Sequence, residues 1–253
     1  MAMKRRRRDN ITRAQLKRMR TQPRTQRFKR RSTTNLRTGG LLGVESKFKD
    51  ISVTGDVFTN DTWVGAELDD GTALCLNGID QGDGAEQRDG RQYAITSVHI
   101  NGFVQLDAAE STAFTVPDST YRIALVLDTQ TNANQLSAED VFDENGASGI
   151  NAFRNIANTK RFKVLEDMKF RVATSDSMVN EGAANLFARG TVKTPFSMHK
   201  VFKKPIIVNC SGTGATVTSI VDNSLHLIGC CNSDSNVSAS QKITYTSRVR
   251  FVG

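Results

Sequence analysis

Apolar residues in this chain recur mostly with a period of two, which places alternate side chains on opposite faces of an extended strand. In "KITYTSRVRFVG" (242–253), Ile243, Tyr245, Val249 and Phe251 share one face; Lys242, Thr244, Thr246, Arg248 and Arg250 share the other. In "RFKVLEDMKFRV" (161–172), Phe162, Val164, Met168, Phe170 and Val172 make an apolar face. Arg161, Lys163, Lys169 and Arg171 oppose it, and the break at Glu166 and Asp167 predicts a bulge or bend. "YRIALVLDTQ" (121–130) is instead a nearly continuous apolar run, as expected of a strand buried on both faces.

Further strands are predicted over 47–59, 72–79, 93–106, 191–202, 206–210 and 224–231. Turn-rich stretches separate them: "DDG", "NGIDQGDGAEQRDG", "DENGASG" and "SGTGAT". Only "ANQLSAEDVFD" carries helix signals, with Ser137 as N-cap ahead of Glu139 and Asp140. Strands with long, uneven loops and little helix predict an all-β fold: a single eight-stranded antiparallel jelly roll of two packed sheets. No repeat of 20–50 residues suggests a propeller or solenoid.

Charge divides the chain in two. Residues 1–40 hold Lys4, Arg5, Arg6, Arg7, Arg8, Arg13, Lys17, Arg18, Arg20, Arg24, Arg27, Lys29, Arg30, Arg31 and Arg37 against one acid, Asp9, a charge of +14. The whole chain carries +8, which leaves −6 for residues 41–253. Gly39, Gly40 and Gly43 mark a hinge, so the expected organisation is an arginine-rich arm over 1–43 and a β-domain over 44–253. An arm with so few apolar residues cannot bury enough surface to offset its ordering entropy. Each Lys or Arg that neutralises a phosphate releases counterions, so the fifteen basic residues point to sequence-independent nucleic-acid binding. Phe28 is the arm's one aromatic, which makes the phosphate backbone rather than the bases its target. Lys4, Arg5, Arg6, Arg7 and Arg8, with Lys29, Arg30 and Arg31, also form the short basic clusters that serve as nuclear localisation signals.

The body shows less chemistry. No apolar run is long enough to span a bilayer, and no membrane partner is expected. Cys75, Cys210, Cys230 and Cys231 lack C-x-x-C spacing and read as small buried hydrophobes; on a strand, Cys230 and Cys231 would face opposite ways. His99, His199 and His226 have no ligand-spaced partners and read as ordinary core or surface histidines. "DDG" (69–71) and "DQGDG" (80–84) cluster hard oxygens that suit calcium, but Asp-Gly dipeptides are first of all turn formers. "GTGATV" (212–217) reads as a hairpin loop. No catalytic constellation and no cofactor motif is present, so an enzyme is not expected. Arg161, Lys163, Lys169 and Arg171 are the folded residues expected to extend the arm's nucleic-acid surface; Arg248 with Arg250, and Lys200 with Lys203 and Lys204, are further basic groups.

Three stretches in this order resemble a known family: "GDGAEQRDGRQYAITSVHINGFV", "YRIALVLDTQTN" followed by "VFD", and "NTKRFKVLEDMKF". Behind an arginine-rich arm and a glycine hinge, they are similar to capsid proteins of circular Rep-encoding single-stranded DNA viruses, the group of the geminiviruses and circoviruses. The resemblance implies a sixty-subunit icosahedral shell around a circular single-stranded DNA genome, with the arm pointing inward. It also implies nuclear import through a host receptor and a place in the virion. The arm alone is equally suited to single-stranded RNA, as in a small satellite virus, because a phosphate-reading segment is blind to the sugar. A non-viral nucleic-acid-binding protein with a basic tail is the remaining reading, and a body at −6 argues against it.

Overall fold

The computed structural model describes residues 46–57, 75–106, 118–143, 149–173, 176–181, 184–189, 192–232 and 241–253. The chain divides into two units, Met1–Val44 and Glu45–Gly253, and all described residues belong to the second. The arm residues and the "DDG" turn lie outside them.

The second unit is almost entirely β-structure. Strands β1 (Ser46–Val57), β2 (Gln92–Leu106), β9 (Val192–Asn209) and β11 (Gln241–Val252) form an antiparallel sheet in the order β1-β11-β2-β9. Strands β3 (Asp118–Asp128), β6 (Phe162–Ala173) and β10 (Ser224–Asn232) form a second, in the order β10-β3-β6. The last strand lies between the first two, and the chain passes from sheet to sheet. That is the strand order of a jelly roll. Two short pairs complete the described strands: β4 (Phe142–Asp143) with β5 (Phe153–Arg154), and β7 (Asp176–Glu181) with β8 (Ala184–Arg189).

The main core is the layer between the sheets. Ile100, Val104, Phe196, Met198, Ile243 and Phe251 of the first sheet meet Tyr121, Ile123, Leu125, Leu225 and Leu227 of the second. Gly102 sits where Tyr245 and Phe196 flank it, and an added Cβ would lie 2.5 Å from the Thr244 carbonyl oxygen. A side chain there would displace backbone. The outer face of the second sheet carries its own apolar cluster: Ala124, Val126, Ile228 and Cys230 pack under Leu136, Val141, Phe142, Ile150 and Ala152. This explains why 121–130 reads as continuously apolar: alternate residues enter two different cores. Cys230 and Cys231 likewise enter one core each, and all four cysteines are free and buried.

Several expectations need correction. Cys75–Ile79 is a turn rather than a strand, with the Leu76 amide donating to the Leu225 carbonyl; 72–74 lie outside the described residues. The jelly roll therefore shows seven long strands among the described residues. Segments 191–202 and 206–210 are one strand, because β9 keeps pairing with β2 on either side of an irregularity between Val201 and Ile206. β7 and β8 had no signal, since 176–189 has neither a clean alternation nor a run of β-branched residues. Ser137 stands at the N-cap of a single-turn helix (Ala138–Val141), yet its side chain makes no capping bond. "SGTGAT" lies in a hairpin-like loop, as read: Cys210 and Ile220 form an antiparallel bridge, with the Ser211 amide donating to the Ser219 carbonyl and the Val221 amide to the Asn209 carbonyl, before the chain enters β10 in the other sheet.

Candidate nucleic-acid interface

The four basic residues assigned to β6 and its approach do not share one face. Opposite β3, the pairing skips a residue between Glu166 and Val164, so Leu165 is a bulge. Before it, Lys163 pairs with Leu127, which points into the main core, and Val164 pairs with Val126 of the outer cluster. After it, Lys169 pairs with Arg122 and Arg171 with Thr120, while Phe170 pairs with Tyr121 of the main core. One inserted residue reverses the parity of the strand. Lys163 thus lies on the side opposite Lys169 and Arg171, and the expected single apolar face is split the same way. Phe162 and Val164 join the outer cluster; Met168, Phe170 and Val172 join the main one.

Arg161 has a different occupation. Its guanidinium donates two bonds of 3.0 Å to the fully buried Asp128 carboxylate and lies 4.6 Å over the Phe162 ring. The hydrogen bonding to Asp128 raises its pKa further and holds it as a cation. Its charge is matched by the buried Asp128 carboxylate.

Two arginines that the sequence did not single out are structural centres. Arg122 is buried and donates to both Asp167 oxygens at 3.0 and 2.9 Å, and to the carbonyls of Gly149, Ile150 and Ala152. Stacked 4.4 Å from the Phe142 ring, it fastens the covering segment onto the second sheet. Arg88, in the quoted "QRDGR" loop, is fully buried and donates to the carbonyls of Ile79, Gly90 and Gly212. It closes the "DQGDG" stretch into a turn, with its own amide bonded to the Asp80 carbonyl. Period-two reading treats such cations as interruptions of an apolar pattern, so neither had a signal.

The first sheet presents an outer face of another kind. The register sets its side chains in rows across four strands: Phe48, Arg250, Ser97, Val201; Asp50, Arg248, His99, His199; Ser52, Thr246, Asn101, Ser197. Beyond these, Thr244, Phe103 and Pro195 align, then Lys242, Gln105 and Lys193. Arg248 chelates Asp50 at 2.7 and 2.6 Å and lies 4.8 Å from the Phe48 ring centre. The paired guanidinium lowers the Asp50 pKa chiefly through these hydrogen bonds. Lys193 lies 4.7 Å from the Phe103 ring centre. Lys200 points the other way and donates to the Leu165 carbonyl between the sheets, whereas Lys203 and Lys204 are exposed in the irregular stretch of β9.

The histidines separate by environment. His99 and His199 face each other across β2 and β9 with ring centres 4.9 Å apart. His226 is fully buried, and desolvation pushes its pKa down to about 4. It meets the Ser224 hydroxyl at 2.8 Å, and Asp128 acts on it electrostatically. This Ser–His–Asp grouping is sealed from solvent at all three side chains, so the hydroxyl is not offered to a substrate. Burial also pushes the Cys75 thiol up to about 12, an inert thiol rather than a nucleophile.

The family model for the geminivirus coat protein/nuclear export factor BR1 family matches residues 1–252. Curated protein sequences offer no match. Among solved structures, the crystal structure of the 60-mer BFDV capsid protein is 7% identical, with a TM-score of 0.27 over 83% of this chain and 92% of that one.

Proposed function

The chain belongs to the geminivirus coat protein/nuclear export factor BR1 family, and on that premise we propose that it closes into a small icosahedral shell around a circular single-stranded DNA genome. In this reading the arm over 1–43 packages the genome, and its basic clusters engage a host import receptor before assembly in the nucleus. The family supports a capsid role for the chain. The split between a +14 arm and a −6 body carries the packaging role: a cationic segment on an acidic wall stays available to phosphates. Of the family's two roles, exposed apolar side chains on the body favour the coat. Phe153 is 84% exposed and Ile156 86%. Large apolar groups in water mark surfaces that another protein covers, here a second copy of the chain. Residues Lys163, Lys169 and Arg171 remain candidates for the genome-facing surface on whichever side each lies.

The test is expression of the full chain and of a form lacking residues 1–40, followed by negative-stain microscopy and extraction of bound nucleic acid. Closed particles of about 20 nm that protect DNA from nuclease are expected from the full chain, and folded protein without protected DNA from the shortened one. A full chain that stays monomeric while binding DNA would end the shell reading. Unfolding of the shortened chain would end the domain boundary.

A further inference from the structure

We propose that the bare outer face of the first sheet is a second docking surface for nucleic-acid phosphates, separate from the arm, and that His99 and His199 tighten its grip as pH falls. This rests on nucleic acid being the protein's partner, and adds where on the body it is held and what controls the hold.

Three observations carry it. The face has no covering element among the described residues, whereas the second sheet's outer face lies under its own apolar cluster. Its rows carry four cations, Lys193, Lys242, Arg248 and Arg250; Asp50 pairs with Arg248, and Glu86 of the neighbouring loop also acts on Arg248. Phe48, Arg248 and Arg250 line a shallow groove, and Arg250 has no carboxylate partner among the described residues. A basic sheet surface with aromatic side chains is suited to a polyanion.

The histidine pair lies in the middle of this charge. Its row contains Arg248 and Asp50, the row on one side Arg250, Ser97 and Val201, and the row on the other Thr246, Asn101 and Ser197. The two ring centres stand 4.9 Å apart. A phosphate placed over the pair favours the protonated rings, so by linkage binding takes up protons and strengthens in acid. The arm contains no histidine, and His226 is sealed in the other sheet. Histidine is the side chain that ordinarily changes charge between pH 5 and 8. A pH response of DNA binding in that window therefore reports on this face, while the arm supplies a constant background.

The full chain, before assembly, is titrated with a fluorescent oligothymidylate at pH 7.5 and 5.5 over a range of salt concentrations. Tighter binding is expected at pH 5.5, with a log–log salt slope steeper by about 1.4, from two added phosphate contacts at about 0.7 each for a single strand. The double variant His99→Gln/His199→Gln should lose the pH response. His199→Gln alone, on an exposed position of β9, should retain about half of the added slope on the same counting. Arg250→Gln should weaken binding at both pH values. A pH response that survives the double substitution, or none in the unsubstituted chain, overturns the proposal while leaving the arm's role intact. Absence of binding at both pH values overturns both. If the double variant shifts only the pH at which particles close, a second copy of the chain covers this face and the proposal falls.

Discussion

The two sheets of this jelly roll treat their outer faces in opposite ways, with the same residue types on each. On the second sheet, Arg122 and His226 are buried beneath or beside the covering segment. Arg122 is matched by one carboxylate and three carbonyls, and His226 is held neutral. On the first sheet, Arg248 and the pair His99 and His199 stand toward solvent in one row. A cation beneath a covering layer becomes a structural fastener; on the bare face Arg248 pairs with Asp50 at the surface, and Arg250 has no carboxylate partner among the described residues. The residue type is shared, and its surroundings decide between fold and function.

Three measurements would break or sharpen this contrast. The largest effect is expected at Arg122. Arg122→Leu leaves three carbonyls without their donor and Asp167 unpaired at the surface, and each buried acceptor left unsatisfied costs about 1–3 kcal/mol. Urea unfolding monitored by circular dichroism should show that loss; a change under about 1 kcal/mol would mean that the covering segment holds itself in place.

Next comes the pH dependence of folding. The His226 imidazole is neutral in the fold down to about pH 4, while in the unfolded chain it protonates near 6.5. Its folded pKa is lower, so the unfolded state binds the proton first. Stability is fully present above pH 6.5, and is lost as pH falls from there toward 4. The gap corresponds to a loss of about 3 kcal/mol. His226→Gln should flatten this part of the profile, measured by unfolding at a series of pH values, and a profile unchanged by the substitution would contradict the assignment. The smallest effect is expected on the bare face. Arg248→Gln should leave the melting temperature within experimental scatter, because an exposed ion pair contributes little, while reducing the salt dependence of DNA binding. A large drop in melting temperature would make Arg248 a fastener like Arg122.

The alternating pattern of 242–253 was legible, since Ile243, Tyr245, Val249 and Phe251 are buried in β11, where Ser247 completes the same buried face. The bulge in β6 was legible to within a residue of its place, but its consequence was not. A break in alternation shows that parity changes without showing which core receives each half, and the four cations around β6 were grouped wrongly for that reason. Arg122 and Arg88 escaped notice because their partners are mainly backbone carbonyls, which leave no trace in side-chain pattern, and the carboxylate that Arg122 meets lies on another strand.

By itself the sequence determined what needs only local information: an all-β body, a strand immersed in two cores, buried cysteines, and a cationic arm on an acidic domain. Period and composition are properties of neighbouring residues, so they survive without a fold. The tertiary structure decided which face of each sheet is covered and which histidines meet. His99 and His199 are a hundred residues apart, and only the pairing of β2 with β9 brings them together. Register between distant strands is set by the burial of a whole sheet face at once, and no single stretch of sequence contains that balance.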